Sequence, residues 1–353
     1  MIHDDFLHRS VTATRPTAAA RARRRANCRA VHIGVNGRFR SPRVASLLAR
    51  ALLVLSAALF SPAFIVGSEP DAGAAGDSAR STGPLRIQWD DDLLVVRSPV
   101  LPDGKLEIWY LEAFCRSGST RRDWRETVLP HETVKLAADP AGRSLRLRSV
   151  VEGGVVVLHE IRAGQDDVDF RLALTNPTGQ PVDVQWAQPC IRVGAFTGLG
   201  QQEYIRRSFI FTEAGLTTLD RTRRAEEALY RGGQVYVPAG IDQRDVNPRP
   251  ISPDVPAEGL IGCFSADGRS LLATAWDQTQ ELFQGVIVCL HSDFRIGGLK
   301  AGETKTLHGK LYILPNDVPA LLRRYRADFP AARRSQQTGE PATGSARERS
   351  PAP

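Results

Sequence analysis

The stretch VDFRLALTNPTGQPVDVQW, Val168 to Trp186, decides the fold. Val168, Phe170, Leu172 and Leu174 alternate with Asp169, Arg171 and Ala173. That period of two puts one apolar and one polar face on a strand. Asn176-Pro177-Thr178-Gly179 then breaks the run with turn residues, and a second β-type run, VDVQW, follows. The stretch is expected to form paired strands joined by a polar turn.

Outward from it the same grammar repeats. LLVVRS, KLEIWYLEAF, SLRLRSVV, GVVVLHEI, SFIF, QVYVP, LIGCF, LLATAW, GVIVCL and KTLHGKLYIL are further strand candidates. Pro102-Asp103-Gly104, Asp139-Pro140-Ala141-Gly142, Gly153-Gly154 and Ala266-Asp267-Gly268 are turns between them. Many strands on short turns make an all-β protein, an antiparallel β-sandwich. One helix is expected, where Asn316-Asp317 precedes VPALLRRYRADF and Pro330 ends it. Leu321, Leu322, Tyr325 and Phe329 form its apolar stripe, for packing at the sheet edge. Between residues 201 and 259 the pattern weakens, and NPRPISPDVP holds four prolines in ten residues, as a binding loop or a structural crossover does.

Charge and hydropathy divide the chain. Residues 1–67 carry 11 Arg, no Lys and only Asp4 and Asp5, so they contribute +9 to a net charge of +7 and leave the rest at −2. A basic nucleic-acid-binding face thereby loses its support. The apolar run Ala51–Val66 follows Arg38, Arg40, Arg43 and Arg50 and is shorter than the ~20 residues of an untilted span. Residues 1–67 therefore read as a basic leader and signal peptide. Residues 68–83 read as a linker, 84–330 as the β-sandwich domain, and 331–353 as a disordered tail. The protein is expected in the periplasm or secreted, meeting a membrane only during export. Cys115, Cys190, Cys263 and Cys289 remain beyond the leader. In an oxidising compartment they stand as disulfides or as buried thiols.

Sugar-sized ligands are held by aromatic faces with polar groups beside them. Three segments have that mix. They contain Trp109 with Glu112, Arg122 with Trp124, and Trp186 with Gln188 and Arg192. Simple alternation places Glu112 with Tyr110 and Phe114, on the face opposite Trp109. A fourth segment runs from Trp276 through Glu281 to His291, Asp293 and Arg295. A His and a carboxylate at neighbouring strand ends suit proton abstraction, with Asp293 orienting the imidazole. Glu281, His291 and Glu112 are the catalytic candidates. Trp109, Trp124, Arg122, Trp186, Gln188, Arg192, Arg249, Trp276, Asp293 and Arg295 are the substrate-binding candidates. His131, His159, His291 and His308 show no metal-ligand spacing, so no metal or cofactor is expected.

The Val168–Trp186 stretch and the closing GLKAGETKTLHGKLYIL resemble the galactose mutarotase-like supersandwich, which is shared by aldose epimerases and domains of polysaccharide lyases and glycoside hydrolases. The resemblance implies a carbohydrate or other small polar ligand. In aldose epimerases the strand after the Asn-Pro-Thr turn leads to a His-x-Tyr-Phe-Asn segment whose His is the general acid. Here that segment reads Trp186-Ala187-Gln188-Pro189-Cys190, and glutamine cannot donate a proton as an acid. The segments WYLEAFCR, WAQPC and HSDFRIGGL also resemble a family of secreted bacterial proteins, a likeness that supplies no activity. The sequence therefore points to an exported carbohydrate-active protein with epimerase, lyase or hydrolase-type acid/base chemistry, or to a non-catalytic carbohydrate-binding or surface-assembly module.

Overall fold

The computed structural model describes residues 83–225 and 233–330. The leader, nearly all of the linker and the C-terminal tail lie outside them. The described residues form two sheets whose ladders are all antiparallel.

In the first sheet the strands β1 (Arg86–Asp90), β2 (Leu93–Arg97) and β3 (Lys105–Cys115) stand side by side, with the short β4 (Val128–Leu129) also on β3. The order continues through β9 (Trp186–Arg192), β16 (Cys289–Arg295) and β15 (Thr279–Gln284) to β12 (Gln234–Tyr236). The second sheet begins with β11 (Gly215–Thr218), β10 (Ser208–Thr212), β13 (Leu260–Phe264) and β14 (Ser270–Trp276). It ends with β17 (Thr304–Pro315), β8 (Asp167–Thr175), β7 (Val156–Ala163), β6 (Ser144–Val151) and β5 (His131–Ala138).

Alternation along these strands builds the core. Ile108, Ala187, Ile191, Leu282, Leu290 and Phe294 of the first sheet meet Leu147, Val157, Ile161, Phe170, Leu172 and Leu311 of the second in one buried cluster. Each fully buried aliphatic side chain contributes about 1.5–3 kcal/mol. Inside this apolar layer runs one polar chain. Tyr110 Oη lies 3.1 Å from His159 Nδ1, and His159 Nε2 lies 2.9 Å from Ser149 Oγ. Burial pushes the His159 imidazole down to about 3, so it stays neutral and ties the sheets together.

The fold-deciding stretch departs from the expected hairpin. β8 stays in the second sheet and β9 enters the first, so residues 176–185 form a crossover between layers. Pro177 and Pro181 remove two ladder donors there. The buried Asn176 satisfies the backbone instead: its Nδ2 donates to the carbonyls of Gln180 and Lys300, and its Oδ1 accepts from Thr178 N–H. GVIVCL also departs from expectation. Its first residues form a turn with Val288 at φ 56°, and the strand is Cys289–Arg295.

The C-terminal helix Val318–Asp328 is capped by Asp317, which accepts from Ala320 N–H at 2.9 Å. Leu321, Tyr325 and Phe329 pack with Phe209, Leu271, Ala273 and Tyr312 on the outer face of the second sheet, rather than along its edge.

Asp277, just past β14, has its carboxyl pushed up to about 6, chiefly by burial. The folded chain thus holds a proton there that the unfolded chain has lost, and stability falls as pH rises from ~4 to ~6. Asp277→Asn is expected to stabilise the protein by about 1–2 kcal/mol at pH 8 and to have little effect at pH 4, in urea melts at both values.

Candidate functional site

Three adjacent strands of the first sheet, β9, β16 and β15, are buried on both faces along almost their whole length. Their inward residues enter the core. Most of their outward residues are polar, Trp186 and Phe283 being apolar, and register brings them together: Glu281 pairs with Asp293 and Phe283 with His291, while Cys289 pairs with Arg192. On the other side of β9, Cys190 pairs with Trp109 and Gln188 with Ala113. Glu281 and His291 thus face each other's strands through mid-strand register, not through neighbouring strand ends.

Glu112 reaches this face through a β-bulge. The register between β3 and β9 shifts between Trp109 and Ala113, and Leu111 sits at φ 53°. The extra residue sends Tyr110, Leu111 and Phe114 into the core, and leaves Ala113 on the outer side. Glu112 accepts from Gln188 Nε2 at 3.2 Å. It shares a face with Trp109, contrary to simple alternation.

The long 201–259 connection supplies the cover. Val237 and Val246 pack on Val235 and Phe283, with Ile241 and Ile251 against them. Polar bonds pin the loop down. Asn247 N–H donates to Glu281 Oε2 at 2.8 Å and Asn247 Nδ2 to Gln188 Oε1 at 3.1 Å. Ser119 Oγ donates to the Val246 carbonyl, and Gln280 Nε2 to that of Asp245. Under this cover Glu281 and Asp293 are 0 % exposed and His291 is 1 % exposed. Glu112 is only half-buried and Trp109 likewise.

The electrostatics follow from dryness. Burial, then the facing Asp293, pushes the Glu281 carboxyl well above the carboxylate range. Burial raises Glu112 and Asp293 as well. Burial opposes a charged His291, but Cys289 and Asp293 outweigh it and hold the imidazole up. A hydrogen bond from Cys190 lowers the Cys289 thiol, helped by His291, whose Nε2 is 3.1 Å from Sγ. The outward side chains form one tightly coupled charge cluster.

The remaining expected residues divide. Arg192 stands at the rim, 3.8 Å from Glu107, and Arg295 donates to Gln280 Oε1, which links it to the covering loop. Trp276 does not line the site. Its ring lies in the core, 5.7 Å from Phe170 and 4.2 Å from Phe294, because an apolar ring on an inward strand position is worth more between the sheets than in water. Trp186 is fully buried and offers no free face; it packs with Trp124, 6.3 Å away, and with Ala113 and Cys115. Trp124 is thereby an anchor for its loop, and Arg122 points to solvent. Arg249 is exposed outside the cluster.

Cys190 and Cys289 were not among the expected site residues. All four described cysteines are free buried thiols. The signal for two members was present in Cys289-Leu290-His291-Ser292-Asp293, where alternation sets Cys, His and Asp on one strand face. Asn247 opens the proline-rich NPRPISPDVP segment that also carries Arg249, and of the two it is Asn247 that reaches the cluster.

Asn247→Ala, which removes the bond to Gln188, is expected to cost about 1–2 kcal/mol in a denaturant melt. Amide exchange at residues 244–247 should accelerate.

No family model and no curated protein matches the sequence. Among solved structures, the chain is similar to a galactose mutarotase-like protein from Lactobacillus casei, at 9 % identity over 65 % of this chain and 99 % of that one, with TM-score 0.34. It is similar to an α-N-acetylgalactosaminidase from Bifidobacterium bifidum, at 11 % identity over 69 % and 37 % of the two chains, TM-score 0.39. A polysaccharide lyase gives 10 % identity over 70 % and 34 %, TM-score 0.32.

Proposed function

We propose that this chain is an exported carbohydrate-active protein in which Glu112 performs acid/base work on a sugar held at the outer face of the first sheet. The observation that carries this reading is the bulge at Leu111. It turns one half-buried carboxyl out beside Trp109, while Glu281, His291 and Asp293 stay sealed behind it. Leu111 is a non-glycine residue at positive φ, and such strain is retained where the surroundings demand it.

Burial keeps the Glu112 carboxyl raised, so it holds a proton to higher pH than an ordinary glutamate does, as a general acid must. Gln188, standing where an epimerase has its histidine, bonds both Glu112 and Asn247. It orients the carboxyl and transfers no proton. Trp109 offers an indole face for the C–H side of a pyranose, and Arg192 and Glu107 offer polar groups for its hydroxyls. The leader ahead of the domain supports export.

The test is a screen of free sugars, oligosaccharides and polyuronates for epimerisation, elimination or hydrolysis. On any substrate found, Glu112→Gln should lose about 10²-fold or more in kcat and leave KM near its starting value. Full activity in that variant would remove the assignment.

The sealing of Glu281 and His291 favours a second reading, a non-catalytic carbohydrate-binding module. It requires glycan binding that Trp109→Ala abolishes, with no product after long incubation and no effect of Glu112→Gln.

A further inference from the structure

The geometry points to a soft-metal site, which we propose is filled by zinc, held by Cys190 Sγ, Cys289 Sγ and His291 Nε2 beneath the covering loop. The inference is independent of the carbohydrate reading.

Among the described residues these three form a group whose ligand atoms all lie within 4.8 Å of one another, and all three are buried. They come from two paired strands of the sandwich rather than a loop, so their spacing is fixed by the ladder. Around a tetrahedral zinc with Zn–S of about 2.3 Å and Zn–N of about 2.0–2.1 Å, the ligand atoms stand roughly 3.5–3.8 Å apart. The Cys289 Sγ to His291 Nε2 distance of 3.1 Å needs to open by only a few tenths of an ångström. Two sulfurs and an imidazole form the donor set of zinc, and calcium or magnesium would require oxygens.

A second observation stands apart from the cluster. Asp293 is 0 % exposed, and neither of its carboxylate oxygens has a hydrogen-bond partner; His291 Nδ1 has none either. The two groups face each other, Nδ1 to Oδ1, at 3.7 Å. A buried carboxylate aimed at the far nitrogen of a histidine is the arrangement that fixes a metal-bound imidazole with Nε2 toward the ion. Binding of zinc would displace the two thiol protons, the two thiolates so formed would balance its +2 charge, and the bound imidazole would present Nδ1–H to Asp293.

Two other uses of the same residues fit less well. A nucleophilic Cys289 needs a substrate to reach it, and its side chain is 2 % exposed. A Cys190–Cys289 disulfide would leave His291 and Asp293 still unsatisfied. Gly285 is part of the same construction: a Cβ there would lie 2.1 Å from Cys289 Sγ, so only glycine leaves room for the thiol.

The test uses the full chain, purified without chelator, denatured, and assayed with a chromogenic zinc indicator. One zinc per chain is expected. Cys190→Ser, Cys289→Ser and His291→Ala should each lower it at least tenfold, while Cys115→Ser and Cys263→Ser retain it. Refilling the chelator-stripped protein with Co²⁺ should give thiolate-to-cobalt charge-transfer absorption that is absent in Cys190→Ser and Cys289→Ser. Circular dichroism of each variant separates lost ligation from lost folding, and the cobalt spectrum of Asp293→Asn, which keeps all three ligands, should persist with weaker affinity. A stripped chain with free thiols that gives no cobalt absorption overturns the proposal. So does a Cys190–Cys289 disulfide in peptide maps of the native protein, or equal metal content in all four cysteine variants.

Discussion

The central strands of the first sheet have no wet side. One face of β9, β16 and β15 is covered by the second sheet and the other by the loop through residues 237–252. Short of the strand ends at Arg192 and Arg295, a residue on either face is therefore dry. The inward positions answer with Ala187, Ile191, Leu282, Leu290 and Phe294, which close the core. The outward positions carry carboxylates, an imidazole, an amide and two thiols. In a low dielectric such groups are stable only if they satisfy one another or hold something that does. The arrangement of the site follows from that constraint.

Three consequences are visible. The loop is fastened by hydrogen bonds as well as by apolar packing, because Asn247 donates to both Glu281 and Gln188. The strand pair Glu281–Asp293 sets two carboxylates against each other, and burial drives Glu281 to hold a proton. The bulge at Leu111 releases Glu112 toward the rim, so one carboxyl of the group keeps contact with water. Sealed titratable groups behind and a half-buried acid in front divide the face into a dry interior and a rim nearer to solvent.

Much of this was legible along the chain because it depends on alternation. The β-strands, the capped C-terminal helix and the grouping of Glu281, His291 and Asp293 follow from period-two or helical patterns with turn residues between them. Where alternation is locally broken, the reading fails. Glu112 changed faces because one residue was inserted into the ladder, and GVIVCL lost its first residues to the turn at Val288. Tryptophan misled for another reason. Trp186 and Trp276 have the same composition signal as a sugar platform, but their area is buried in apolar clusters instead.

The sequence by itself determined the strand faces, the caps and the turn chemistry, since these depend on neighbours a few residues apart. It also determined the division of charge, +9 in residues 1–67 and −2 in the rest. Only the tertiary structure decided which strands became neighbours. The Asn176 crossover sends β8 and β9 into different sheets, and pairing of β9 with β16 brings Cys190 beside His291 across about a hundred residues of chain. Contacts of that range depend on how layers stack and which loop folds over them, and no local pattern of side chains encodes it.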